Sequence, residues 1–379
     1  MPKPEKNITS LHRAKAEQNV LVLQGGGALG AYQAGAFQRL TEAALGIDWV
    51  AGISIGAINA AIICGNPVDR RIEKLKAFWE GVSSSLATTP WMWGPKSRHI
   101  FAEFAAAEVM TFGVPGFFTP RLPMSFWPIG DTQPLSVYDT SPLEKTLNDL
   151  VDFDYLNEDG PRLSVGAVDV ETGNFTYFDS RKTRIDPRHI MASGALPPGF
   201  PPVEIDGRFY WDGGLVSNTP LQYVMEHAGG DPMCIFQIDV FSARGAMPED
   251  LADIQQREKD IRFSSRTRLT TDRYSHLHNI RAAAGRLAKK LPKELQTDPD
   301  LALLLTTGPE CPVTLVHLIH RREGFEGNSK DYEFSRLSMT EHWAAGFADV
   351  KRTFSHKAWK SREIGRDGLQ VFDLGAIEK

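Results

Sequence analysis

From Trp49 to Ala61 the chain reads WVAGISIGAINAA, and no other stretch limits the possible folds as much. Ile47, Trp49 and Val50 suit a short buried strand, and the small, alanine-rich run behind them suits a helix that packs closely. Between the two stands Gly52-Ile53-Ser54-Ile55-Gly56, a G-x-S-x-G pentapeptide of the kind that presents a serine on a strained strand-to-helix turn. Gly52 and Gly56 relieve the crowding of such a turn. The N–H groups that open the helix would face an anion forming on the serine's substrate. With 33 glycines in 379 residues, chance supplies such a pentapeptide in about one chain in six, so the flanking segments must carry the reading.

Upstream, Val20-Leu21-Val22-Leu23 reads as a buried parallel strand that runs into Gln24-Gly25-Gly26-Gly27-Ala28-Leu29-Gly30 and then a helical segment over 31–45. Strand, glycine loop and helix make a site for negative charge, because glycines let backbone N–H groups approach a ligand. The loop alone leaves two uses open. Gly25, Gly27 and Gly30 satisfy G-x-G-x-x-G, and Asp48 follows at about the spacing of a ribose-binding acid, which is the pattern of a dinucleotide-binding oxidoreductase. Beside a serine turn the same loop looks like an oxyanion hole, and a dinucleotide site has no use for Ser54.

A helix over 70–79 leads to a change of character. Residues 88–142 hold Trp91, Trp93, Phe101, Phe104, Phe112, Phe117, Phe118, Phe126 and Trp127 among repeated prolines. Proline breaks helices, so the spacing predicts an irregular excursion around one short helix over 98–110, either a lid on an apolar pocket or a loop that buries its aromatics. A helix over 142–150, strands over 163–170 and 174–178 turning at Glu171-Thr172-Gly173, and a helical turn over 187–192 come next. A proline-rich loop, ASGALPPGFPPV, precedes Asp212, which ends a strand before Gly213 and Gly214. Asp-Gly-Gly is a common turn, and it equally aims a carboxylate into a site at the sheet edge.

Composition excludes several classes. A content of 42% hydrophobic and 23% charged residues is globular, and the net charge of -5 argues against a nucleic-acid partner held by general basicity. Cys64, Cys234 and Cys311 are scattered and odd in number, so neither a disulfide framework nor a cysteine-rich metal site is expected. The polar N-terminal residues lack the apolar region of a signal peptide, and no apolar run has the length of a membrane span. The expectation is a cytoplasmic protein, with peripheral contact to a membrane surface left open.

Taken in order, these stretches resemble the patatin-like phospholipases over residues 18–242. GGGALG is similar to that family's oxyanion loop, GISIG to its nucleophile elbow, ASGALPPGFPPV to its proline-rich loop and DGGLVSNTPL to its aspartate segment. The resemblance implies a three-layer α/β/α sandwich with a mostly parallel central sheet. It further implies a dyad of Ser54 as nucleophile and Asp212 as base, with the N–H groups of Gly26, Gly27 and Ala28, inside a loop bounded by Gly25 and Gly30, holding the tetrahedral oxyanion. The reaction would be hydrolysis of a lipid or other acyl ester through an acyl-serine, with no cofactor and no metal. Leu29 departs from the basic residue that the family often carries there, which puts preference for a phosphate headgroup in doubt. Two other readings remain: a Ser–Asp–His triad drawing on His276, His278, His317 or His320, and a non-catalytic lipid-binding protein of the same fold.

Residues 243–379 read as a mainly helical C-terminal region. A buried strand over 234–240 precedes it. In a helix over 275–291, Leu277, Ile280, Ala284, Leu287 and Leu291 share one face, with Arg281, Arg286, Lys289 and Lys290 mostly off it, which suits docking on the core or contact with anionic lipid. A short helix over 298–307, a strand over 313–319 that could join the main sheet, a helix over 339–354 with a core-type stripe, and a frayed end complete the expectation.

Overall fold

A computed structural model describes residues 17–83, 94–121, 135–264, 267–306, 311–321, 326–366 and 368–374. The strands are β1 (Gln18–Leu23), β2 (Trp49–Gly52), β3 (Thr119–Pro120), β4 (Tyr138–Asp139), β5 (Arg162–Asp169), β6 (Phe175–Asp179), β7 (Val203–Ile205), β8 (Arg208–Asp212), β9 (Met233–Asp239), β10 (Val313–Ile319) and β11 (Leu369–Phe372). The first helices are α1 (Gly30–Glu42), α2 (Ile55–Cys64), α3 (Arg71–Val82), α4 (Pro95–Phe112), α5 (Ser141–Leu150), α6 (Phe153–Glu158) and α7 (Pro187–Ser193). After them come α8 (Leu221–Glu226), α9 (Leu251–Phe263), α10 (Thr267–Ala288), α11 (Pro299–Leu305), α12 (Arg336–Ser355) and α13 (Lys357–Lys360).

One sheet runs in the order β11-β10-β9-β1-β2-β5-β8-β7, with β6 also paired to β5. From β11 to β5 every pairing is parallel, while β6 and β8 lie antiparallel to β5, and β7 antiparallel to β8. Side chains alternate across a strand, and β1 divides its apolar residues accordingly. Leu21 and Leu23 join the core under α1 and α2, whereas Val20 and Val22 join a second core with Leu221, Val224 and Tyr274 from α8 and α10. Both faces are covered, which is the α/β/α sandwich, and burial on both faces accounts for the continuous apolar runs in β1 and β2.

The C-terminal residues are part of this architecture. β10 pairs with β9 along its whole length and β11 with β10, so the stretch expected to fray adds the edge strand of the sheet. Four residues with no local pattern form a strand because a partner edge is available. Helix α12 lies on α1 so closely that a Cβ on Gly35 would sit 1.9 Å from the Trp343 carbonyl oxygen, and one on Gly346 would sit 1.9 Å from that of Tyr32.

Other expectations change in extent. The helix within 88–142 runs over Pro95–Phe112, because Pro95 occupies its first turn, where a missing N–H costs nothing. Trp91, Trp93, Phe126 and Trp127 lie outside the described residues. Helix α10 ends at Ala288, and Leu287 is 53% exposed, so the apolar stripe read there is only partly buried. The three cysteines are buried and free. Among the described residues no helix is long and apolar enough to cross a membrane.

Candidate active site

The parallel register Leu23↔Gly52 brings the carboxyl ends of β1 and β2 level, so the glycine loop and Ser54 emerge side by side. Ser54 has φ 55° and ψ -124°, a left-handed conformation that is costly for a residue with a Cβ. Its surroundings enforce it. A Cβ on Gly52 would lie 2.4 Å from the Gly56 carbonyl oxygen, and one on Gly56 would lie 2.4 Å from that of Leu23, so the turn closes only with glycine at both places. The Ser54 N–H donates to the Ser193 carbonyl oxygen and hydroxyl, and that hydroxyl donates to the Gly166 carbonyl on β5.

Asp212 ends β8 opposite Ala167, with its N–H bonded to the Ala195 carbonyl. The loop from Ser193 to Ala195 thus holds the backbones of both residues. Asp212 is almost fully buried, and its Oδ1 accepts the Gly214 N–H at 2.7 Å. Burial pushes the Asp212 carboxyl up to about 7, against the lowering effect of the Gly214 N–H and the nearby Ser54 side chain. Ser54 and Asp212 line one cavity of about 260 Å³.

The residues of the glycine loop divide by role. The Gly25 N–H donates to the Asn218 carbonyl, the Gly30 N–H closes the short turn back onto Gly27 and Ala28, and the Ala28 N–H donates to the Asp331 carbonyl at 2.9 Å. All three of these N–H groups, that of Ala28 included, already have backbone acceptors in this structure. The N–H groups of Gly26 and Gly27 have no acceptor among the described residues, and both residues line the cavity. The Ile55 N–H at the start of α2 is in the same position, which the sequence reading left among the general helix-end donors.

Buried polar side chains brace this loop. Gln24 donates to the Thr219 hydroxyl and accepts from the Val240 and Phe241 N–H groups, while Asn218 donates to the carbonyls of Gly25 and Phe263. Asn59 ties α2 to α1 through the Gly30 carbonyl and Gln33, and accepts from Trp79 on α3. Asn218 and Ser193 stand inside motifs quoted above, yet no sequence signal assigned them these bonds.

Three sources build the cavity walls. Val109, Met110, Phe117, Phe118 and Tyr138 come from the aromatic excursion, Leu196 and Phe200 from the proline-rich loop, and Phe241, Phe263, Asp331, Tyr332 and Phe334 from beyond β9. Phe118 packs against both Tyr138 and Phe200, and Phe117 against Phe334. Phe117 and Phe118 of the excursion are buried, and they also line the pocket. The charged lining residues are Asp212 and Asp331; no Lys, Arg or His lines the cavity among the described residues.

Two rival readings lose their geometry. Asp48 precedes β2 and accepts the Asn19 N–H near the start of β1, at the opposite end of the strands from the glycine loop. A ribose held by Asp48 could not share a dinucleotide with Gly25, Gly27 and Gly30. His276, His278, His317 and His320 all lie off the cavity, so none serves a triad with Ser54. Leu29 is wholly buried, a packing residue with no access to a headgroup.

A family model described as patatin-like phospholipase matches residues 21–225, and a second, described as patatin phospholipase, matches 261–364. A patatin-like phospholipase domain-containing protein of Caenorhabditis elegans is 26% identical over 234 residues, which is 62% of this chain and 14% of that protein. The chain thus spans about a seventh of the length of the curated relative it matches. Among solved structures, VipD from Legionella pneumophila aligns with TM-score 0.35 and 14% identity over 87% of this chain and 67% of its own. The ExoU–SpcU complex from the type III secretion system of Pseudomonas aeruginosa aligns with TM-score 0.28 and 15% identity over 89% and 76%.

Proposed function

The chain belongs to the patatin-like phospholipase family, and from that premise we propose that it is a serine hydrolase of lipid acyl esters working through Ser54 and Asp212. The observation that carries this reading is the convergence of the Ser54 hydroxyl and a buried carboxylate of pKa about 7 on one apolar cavity. A serine hydroxyl is a weak nucleophile until a neighbouring base takes its proton. A base poised near the working pH does so most effectively. Asp212 accepts the proton as Oγ attacks the ester carbon, and the N–H groups of Gly26, Gly27 and Ile55 receive the negative charge that moves onto the carbonyl oxygen. Asp212 then returns the proton to the departing alcohol. Water, deprotonated by the same carboxylate, attacks the acyl-serine; the acyl–Oγ bond breaks, Asp212 returns the proton to Ser54 Oγ, and the fatty acid is released.

The walls favour an acyl chain, and among the described residues they offer no cation to a phosphate inside the cavity. The acyl portion therefore supplies the recognition, and esters without an anionic headgroup are substrates in their own right. The test is covalent: a fluorophosphonate probe labels the chain at Ser54, and Ser54→Ala abolishes labelling with the fold intact by circular dichroism. Labelling that survives Ser54→Ala refutes the assignment, and a wild-type chain that never labels leaves the non-catalytic lipid binder as the better reading.

A further inference from the structure

His320, one of the histidines that the cavity does not use, lies directly after β10, with its N–H bonded to the Asp239 carbonyl at 2.8 Å. Its Nε2 lies 2.8 Å from Oε1 of Glu326, and the Nε2 of His342 on α12 lies 3.0 Å from the same oxygen. The three side chains are only 2–3% exposed, and their ligand atoms all fall within 4.8 Å of one another. The rings of His320 and His342 meet edge to face at 5.2 Å, and Tyr32 packs against His320 from α1.

We propose that His320, Glu326 and His342 form a structural site for one divalent transition-metal ion of the zinc class. Two imidazole nitrogens with one carboxylate oxygen is a donor set that borderline ions accept and that calcium and magnesium do not prefer. The convergence is specific in its atoms, since both rings present Nε2 to one carboxylate oxygen, and an ion about 2.0–2.2 Å from each donor would take the place of these two hydrogen bonds. Each ligand rides on a different support: β10 inside the sheet, helix α12 against α1, and the start of the stretch that carries Asp331, Tyr332 and Phe334 to the cavity. The ion would therefore pin the C-terminal wall of the cavity to the sheet.

The full chain, dialysed against zinc chloride and then metal-free buffer, should retain about one zinc per chain by plasma mass spectrometry, and a chelator should lower its Tm. Glu326→Gln and His342→Ala should each lose the metal. Metal content near zero in the folded wild type, or retention unchanged in folded variants, overturns the site and leaves a hydrogen-bonded triad. Should the variants not fold, cobalt(II) titrated into the wild type decides: visible absorption saturating at one equivalent and displaced by zinc supports the site, and a featureless spectrum overturns it. None of these readouts depends on whether Ser54 is active.

Discussion

The segment up to β9 and the segment after it contribute different things to one cavity. The first holds Ser54, Asp212 and the glycine loop, each fixed by short-range turns and by neighbouring strands. The second holds none of the proposed chemistry, yet it supplies the Phe263, Tyr332 and Phe334 walls, the strands β10 and β11, and the helix that lies on α1. Its Asp331 carbonyl also takes the Ala28 N–H, and Lys259 holds the Asp331 carboxylate at 2.7 Å. The proposed reactive groups sit at the ends of central strands, and the more distant chain shapes the space around them. Such a division separates what is done from what is accepted as substrate.

The bluntest way to break this comparison is to remove one side. A chain ended at residue 242 exposes the β9 edge and the buried faces of α1 and β9, and it should fail to give a cooperative melting transition; a stable, active fragment would show the second segment to be an accessory. Next in size, Ser54→Ala and Asp212→Asn should each lower the hydrolysis of a p-nitrophenyl ester at least about a thousandfold with little loss of fold. For the wild type, kcat/KM should rise with pH and level off above about 7, since only the ionised Asp212 accepts a proton. A profile flat from pH 5 to 9 would remove Asp212 as the base.

Stability provides the next comparison. Gly346→Ala places a Cβ against the backbone of Tyr32, where no side chain can yield, and should cost about 3 kcal/mol in denaturant unfolding. Asp212→Asn should act the other way. The folded pKa of Asp212 is raised, so ionising it opposes folding, and the loss of stability grows as pH rises from about 4 to about 7. The variant should accordingly melt higher than the wild type at pH 8, with the gap closing toward pH 4. Smallest, Phe334→Ala should leave activity on a short ester nearly intact and change the long-to-short preference about tenfold, read from kcat/KM across acyl lengths.

The sequence made the first segment legible because its signals are local. Apolar runs such as Val20–Leu23, glycines at a turn and an aspartate before two glycines are visible within a dozen residues, and the register of parallel strands does the rest. What it hid was non-local. The contact of Asp331 with Ala28 joins residues about three hundred positions apart, and this contact separates Ala28 from Gly26 and Gly27, the proposed oxyanion donors. β11 went unread because an edge strand of four residues takes its order from β10. The prolines of the excursion suggested interruption, whereas Pro95 begins α4, a difference decided by one position in the first turn.

The burial that goes with the greasy chamber around Ser54 is also what raises the pKa of Asp212. Filling it with a hydrocarbon tail displaces the remaining water from the carboxylate, so a longer tail that seats fully should make the acid still more reluctant to ionise when free and more eager for the hydroxyl proton once charged. Fit and basicity would then rise together, and the chamber would sense the length of its guest through the strength of its own proton acceptor.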